Sequence, residues 1–126
     1  MSLPVEARDE LFKTFGRAWV KRDAKLLYEA VSPDFVWRSL DADGNVQLIT
    51  GREAVAAALA ATGADNVQRR FKDVVFHHAP DATFMTFRLV ETNRATGEVS
   101  EEDGVERYTF KDGRIAVKDV FRKPIV

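Results

Sequence analysis

The chain has 126 residues, 45% of them hydrophobic and 31% charged, with 4 Pro and 7 Gly, the composition of one globular domain burying about two thirds of its unfolded surface. Its 19 basic and 20 acidic side chains leave a formal net charge of -1, which provides no electrostatic footprint for nucleic acid or an anionic membrane. The absence of cysteine excludes disulfides, thiolate metal sites and cysteine nucleophiles and suits a cytoplasmic setting; neither a signal peptide nor an anchor is expected, because no apolar run approaches the roughly 20 residues of a membrane span.

After Pro4, a tolerated first-turn residue, the acids Glu6, Asp9 and Glu10 suit a helix N-terminus, and Leu11, Phe12, Phe15, Ala18 and Trp19 fall on one face at helical spacing. Lys21 and Arg22 close this helix. Asp23 is placed to cap a shorter one with Leu26, Leu27, Ala30 and Val31 as its apolar stripe, and Ser32-Pro33 ends it. From Asp34 the period becomes two, with Phe35, Trp37 and Ser39 on one side and Val36, Arg38 and Leu40 on the other. The turn formers Asp41 to Asn45 then predict a hairpin returning through Val46 to Ile49. Thr50, three residues before Glu53, predicts a capping box for an alanine-rich helix through Ala61, which Gly63 stops.

The second half carries no helical stripe. Four β-rich runs, Val67 to His78, Ala82 to Asn93, Val99 to Phe110 and Arg114 to Arg122, are separated by turn signals at Pro80-Asp81, Thr96-Gly97 and Asp112-Gly113. Strands this long imply a bent antiparallel meander, and three helices followed by a meander is an α+β order with helices on one side of the sheet. In the last run Ile115, Val117 and Phe121 are expected on one face and Val120 on the other.

The order of helix, short helix, Ser32-Pro33-Asp34-Phe35-Val36-Trp37, loop, helix and four strands ending in Asp112-Gly113-Arg114-Ile115 resembles the nuclear-transport-factor-2-like (NTF2-like) superfamily, its SnoaL-like members included. The resemblance spans nearly the whole chain. It implies one domain over residues 1–126, a cystatin-like cone whose three helices lie in the hollow of a strongly curved antiparallel sheet, a small apolar pocket, no cofactor, and a homodimer formed through the sheet. Members include isomerases, epoxide hydrolases, dehydratases, polyketide cyclases and non-catalytic adaptors, so the fold leaves function to the site.

Three catalytic patterns of that superfamily are incomplete here. The ketosteroid-isomerase pattern needs an aspartate base on the first strand and a tyrosine on the first helix, where this chain has Ser39 or Arg38 and Phe15; only Glu106 matches an acid on a later strand. The limonene-epoxide-hydrolase pattern of an arginine between two carboxylates finds Arg88 and Asp119, but Val90 stands where one carboxylate is needed, and a one-residue register shift would turn Asp119 away from the pocket. Scytalone-dehydratase-like histidines direct attention to His77 and His78, neighbours on a strand, of which one at most faces inward.

Glu106 is the strongest candidate, since alternation puts Glu106, Tyr108 and Phe110 on one face, and an enclosed carboxylate suits acid or base work. The structural alternative is an ion pair with Arg88 or Arg107. Arg88 shares a face with Phe84 and Thr86, expected to point inward. Phe12, Phe15, Trp19, Trp37 and Phe84 are core residues or pocket wall, with Ser39 and Tyr108 as polar handles for a small apolar ligand. The acidic Glu101-Glu102-Asp103 run reads as a solvated bend, and no spaced ligand set marks a metal site. Two functions follow: a cofactor-free isomerase, hydrolase or lyase using Glu106 or Asp119 as acid or base, or a non-catalytic ligand-binding or dimerising module.

Overall fold

Helix α1 (Val5–Lys21) follows Pro4 and ends where Arg22 takes a left-handed conformation, its N–H reaching Ala18 and Trp19 carbonyls; the computed structural model describes residues 2–125. The Asp23 carboxylate accepts the Leu26 N–H at 3.1 Å and starts α2 (Ala24–Ala30), as its cap position predicts. Strand β1 (Val31–Leu40) begins at once, so Ser32-Pro33 opens a strand; Pro33 is tolerated because the pairing is irregular between Val31 and Val36. The expected hairpin to β2 (Val46–Thr50) forms, with Asp41 accepting the Asp43 and Asn45 N–H groups at 2.9 Å.

Thr50 does not cap the next helix. It pairs with Val36 as the last residue of β2, and α3 (Arg52–Ala61) starts from Gly51 at φ 86 without a side-chain cap, a conformation open to glycine and strained for other residues. The meander then runs through β3 (Val67–His78), β4 (Thr83–Asn93), β5 (Val99–Lys111) and β6 (Arg114–Pro124). Asp112 and Gly113 both have positive φ, the mark of a tight type I′ hairpin. The acidic Glu101 to Asp103 run lies within β5, because β5 starts before it and pairs with β4 throughout. Gly104 faces Phe87, and a Cβ there would lie 2.3 Å from that ring.

The six strands form one open sheet in the order β2-β1-β6-β5-β4-β3. It is mixed, since β1 runs parallel to β6, a long-range pairing that local patterning does not encode. One face meets α1 through Phe12 on Tyr108 and Phe76, Phe15 on Tyr108, and Trp19 on Trp37. The core continues through Leu27, Val31, Phe35, Val55, Leu59 and Ile115, all nearly inaccessible. Among the described residues, no helix is long and apolar enough to cross a membrane.

Arg8, in the first turns of α1, is only 2% exposed. It donates to the Leu3, Ala79, Pro80 and Ala82 carbonyls and to Thr83 Oγ1 at 2.7 to 3.2 Å, and its guanidinium lies 4.9 Å from the Phe110 ring centre. A cation with that many acceptors loses little on leaving water, and it ties the start of α1 to the β3–β4 turn.

Candidate functional site

Cross-strand register sets the site. Tyr108 of β5 lies opposite Lys118 of β6, which lies opposite Trp37 of β1, so the three share one row on the face that meets α1. Glu106, two residues back from Tyr108, points to the same face. Glu106 and Lys118 are each 4% exposed. The Tyr108 hydroxyl donates to Glu106 Oε1 in a short hydrogen bond, and Lys118 Nζ lies 3.6 Å from the same oxygen.

Rings enclose the amine. Lys118 Nζ is 3.5 Å from the Trp19 ring centre, 5.1 Å from that of Trp37 and 5.5 Å from that of Phe15, distances at which aromatic faces attract a cation. Burial pushes the Lys118 amine below its usual value, while the Glu106 carboxylate pulls it back up. The Tyr108 hydroxyl stands well above its usual 10.0, chiefly through burial and then through the charge and hydrogen bond of Glu106. Trp37 Nε1 is buried with no hydrogen-bond partner. The row therefore combines a carboxylate, a phenol, an amine and an unused donor within apolar walls.

Phe12, Phe15, Trp19, Trp37 and Tyr108 gather around this group as one aromatic cluster. Ser39 lies two residues beyond Trp37 on the same face. Arg88 and Phe84 do not join them: their neighbours Asp103 and Arg107 are the outward residues of β5, and Arg88 pairs with Asp103 at 3.3 Å. The inward residues of β4 are Thr83, Met85, Phe87 and Leu89 instead. Asp119 also faces outward and pairs with Arg38 at 3.3 Å. The cause is a register shift between Thr109–Val117 and Phe110–Ile115, which makes Ala116 an extra residue and separates inward Ile115 from outward Val117 and Phe121.

The partner of Glu106 is thus Lys118, not Arg88 or Arg107. Without the Ala116 bulge, β6 alternation would place Lys118 opposite Ile115, outside the core. His78 rather than His77 faces α1, 3.6 Å from Asp9, while His77 reaches Thr86 on the outer face. Clefts of about 620 and 330 Å³ lie at the far end of the sheet around Val99, Ser100 and Glu102 and around Glu91, Asn93 and Glu98, away from Glu106.

A family model of the SnoaL-like domain matches residues 12–118. The chain belongs to the SnoaL-like family. No curated protein matches the chain by sequence. Solved structures with the same fold include an NTF2-like protein from Burkholderia xenovorans LB400, with a TM-score of 0.77 and 16% identity over 95% of this chain and 92% of that one. A candidate polyketide cyclase from Xanthomonas campestris pv. campestris has a TM-score of 0.70 and 14% identity over 91% and 89%. A candidate isomerase from Bacillus subtilis has a TM-score of 0.72 and 17% identity over 94% and 88%. These identities speak to the SnoaL-like fold and leave the chemistry to the residues of this chain.

Proposed function

We propose that this SnoaL-like protein is a cofactor-free enzyme that moves a proton at the carbon next to a carbonyl group in a small hydrophobic molecule. The three helices lie in the hollow of a curved sheet, and Glu106 is the acid or base at its floor. The observation that carries this reading is the buried Glu106 carboxylate, held by the Tyr108 hydroxyl and facing the Lys118 amine within an aromatic enclosure. A core built only for stability places apolar groups here, since a buried ion pair contributes little over a hydrophobic replacement. Tyr108 and Lys118 are positive or hydrogen-donating partners for the oxygen of an enolate, the charge that develops when the carbon loses its proton. The neighbours named as a candidate polyketide cyclase and a candidate isomerase are compatible with this class of reaction.

The test is deuterium exchange. The protein is incubated in deuterated buffer with a panel of hydrophobic aldehydes and ketones, and loss of the α-proton signal is followed by NMR. At least one class should exchange faster than in buffer alone, and Glu106→Gln, with its fold checked by circular dichroism, should slow that exchange by roughly 10² to 10⁴-fold. Exchange at the buffer rate across the panel, or exchange indifferent to Glu106→Gln, would refute the reading.

The same reading assigns the outer face of the sheet to a second copy of the chain. Val75, Thr86, Val105 and Phe121 form one row there, Phe121 is 51% exposed, and Leu48 is exposed on the same side. A row of exposed apolar side chains of this kind suits an interface. Sedimentation should give a dimer that Phe121→Glu dissociates; a wild-type monomer at micromolar concentration would contradict the assignment.

A further inference from the structure

In the proton abstraction proposed above Lys118 serves only as a charge beside the enolate oxygen. Its surroundings differ from those of a structural lysine. Glu106 Oε1 stands at 3.6 Å, beyond a normal hydrogen bond, and the Trp19, Trp37 and Phe15 rings stand around the amine. Its three donors are therefore poorly matched, a cost that works against the attraction of the rings and of Glu106 for the charge and keeps the neutral form accessible. Burial acts in the same direction. A neutral amine in apolar surroundings beside a carboxylate and a phenol is the arrangement in which lysine attacks carbonyl carbon.

We propose that Lys118 is the nucleophile of this site and forms an imine with the aldehyde or ketone substrate. The proposal rests on the reading of Glu106 as the acid and base of the site. The ammonium of Lys118 first gives a proton to the Glu106 carboxylate, leaving a neutral amine and a carboxylic acid. The Nζ lone pair adds to the carbonyl carbon as the carbon–oxygen π bond opens, and Glu106 returns its proton to the oxygen. Nζ then loses a proton to Glu106, the hydroxyl departs with a proton as water, and a carbon–nitrogen double bond remains. Hydrolysis reverses these steps, so no oxidant or reductant is consumed. The protonated imine draws electrons from the neighbouring carbon more strongly than a carbonyl does, which brings the α-proton within the reach of a carboxylate base.

Access is through Trp19. Of the three rings around Nζ, Phe15 and Trp37 are buried, whereas Trp19 is partly exposed and lies nearest the amine. Rotation of that side chain opens the amine to an incoming carbonyl compound, and Trp37 Nε1, without a partner, is available to an oxygen on it.

Reductive trapping tests the imine. The wild-type protein is incubated with benzaldehyde or hexanal and cyanoborohydride near neutral pH, and labelled peptides are mapped by mass spectrometry. The peptide containing Lys118 should gain the mass of the carbonyl compound less its oxygen, several-fold faster than the peptide containing the exposed Lys13, since the neutral amine is the form that attacks carbonyl carbon. Glu106→Gln should slow that labelling, and Lys118→Arg, which keeps the charge, should abolish it at this position. Labelling at Lys118 no faster than at Lys13 overturns the imine. If α-proton exchange then still depends on Glu106, the acid–base reading stands without it; if exchange also fails, both fall.

Discussion

Two cations lie buried against the same helix and sheet, and their surroundings separate them. Arg8 is 2% exposed and Lys118 is 4% exposed, so burial alone does not distinguish them. Arg8 donates to four carbonyls and a hydroxyl, and no acid among the described residues forms a salt bridge with it. Lys118 has one carboxylate at a distance and a set of rings. The first arrangement satisfies a charge that never has to change, because a guanidinium does not lose its proton. The second holds a group whose proton can leave. A buried charge is thus structural or chemical according to whether its hydrogen-bonding capacity is filled.

Removing the cations breaks this comparison most directly. Arg8→Met takes the guanidinium donors from four carbonyl groups and should destabilise the protein by about 3 kcal/mol in urea unfolding, with no compensating second substitution in view. At the other site Lys118→Met or Glu106→Gln alone should cost about 2 to 3 kcal/mol, each leaving its partner unmatched, whereas the pair together should cost less than about 1 kcal/mol. The double-mutant cycle measures this. Near-additive costs at Glu106 and Lys118, or a mild Arg8→Met, would erase the distinction drawn between the two.

Much of the architecture was legible in the sequence, and the failures have physical causes. The strands from Val67, Val99 and Arg114 begin where alternation and turn residues put them, and Asp112-Gly113 makes its hairpin, because these signals are local. Glu106 and Tyr108 share the inward face for the same reason. Lys118 was missed and Asp119 misdirected because the Ala116 bulge moves the register by one residue, and no composition marks a bulge. Phe84 and Arg88 show a different limit: β4 has apolar residues on both faces, so alternation separates the faces without saying which one meets α1. Arg8 is hidden among Glu6, Asp9 and Glu10, which read as the acidic start of a helix. The parallel pairing of β1 with β6 joins segments some 80 residues apart in sequence, as Arg38 and Asp119 illustrate, and local patterning has no access to it.

A smaller effect sharpens the comparison through pH. Tyr108 holds its proton in the folded state well above 10.0, its usual value, whereas an unfolded chain releases it near 10. Its contribution to stability is complete below that pH and declines as the pH rises further, since the unfolded state then binds fewer protons than the folded one. The lowered Lys118 acts oppositely: the cost of burying its charge is fully present at low pH and is relieved as the pH rises through its folded value toward 10.5. Unfolding free energies measured on both sides of pH 10 should therefore fall for the wild type by up to about 1.4 kcal/mol per pH unit more than for Tyr108→Phe, the value of one proton. The deficit of Arg8→Met should stay constant across the same range, since nothing at that site titrates with the arginine. Parallel profiles for wild type and Tyr108→Phe would mean that the phenol is not sealed against solvent, and with it the enclosure that makes the Glu106–Lys118 pair different from Arg8.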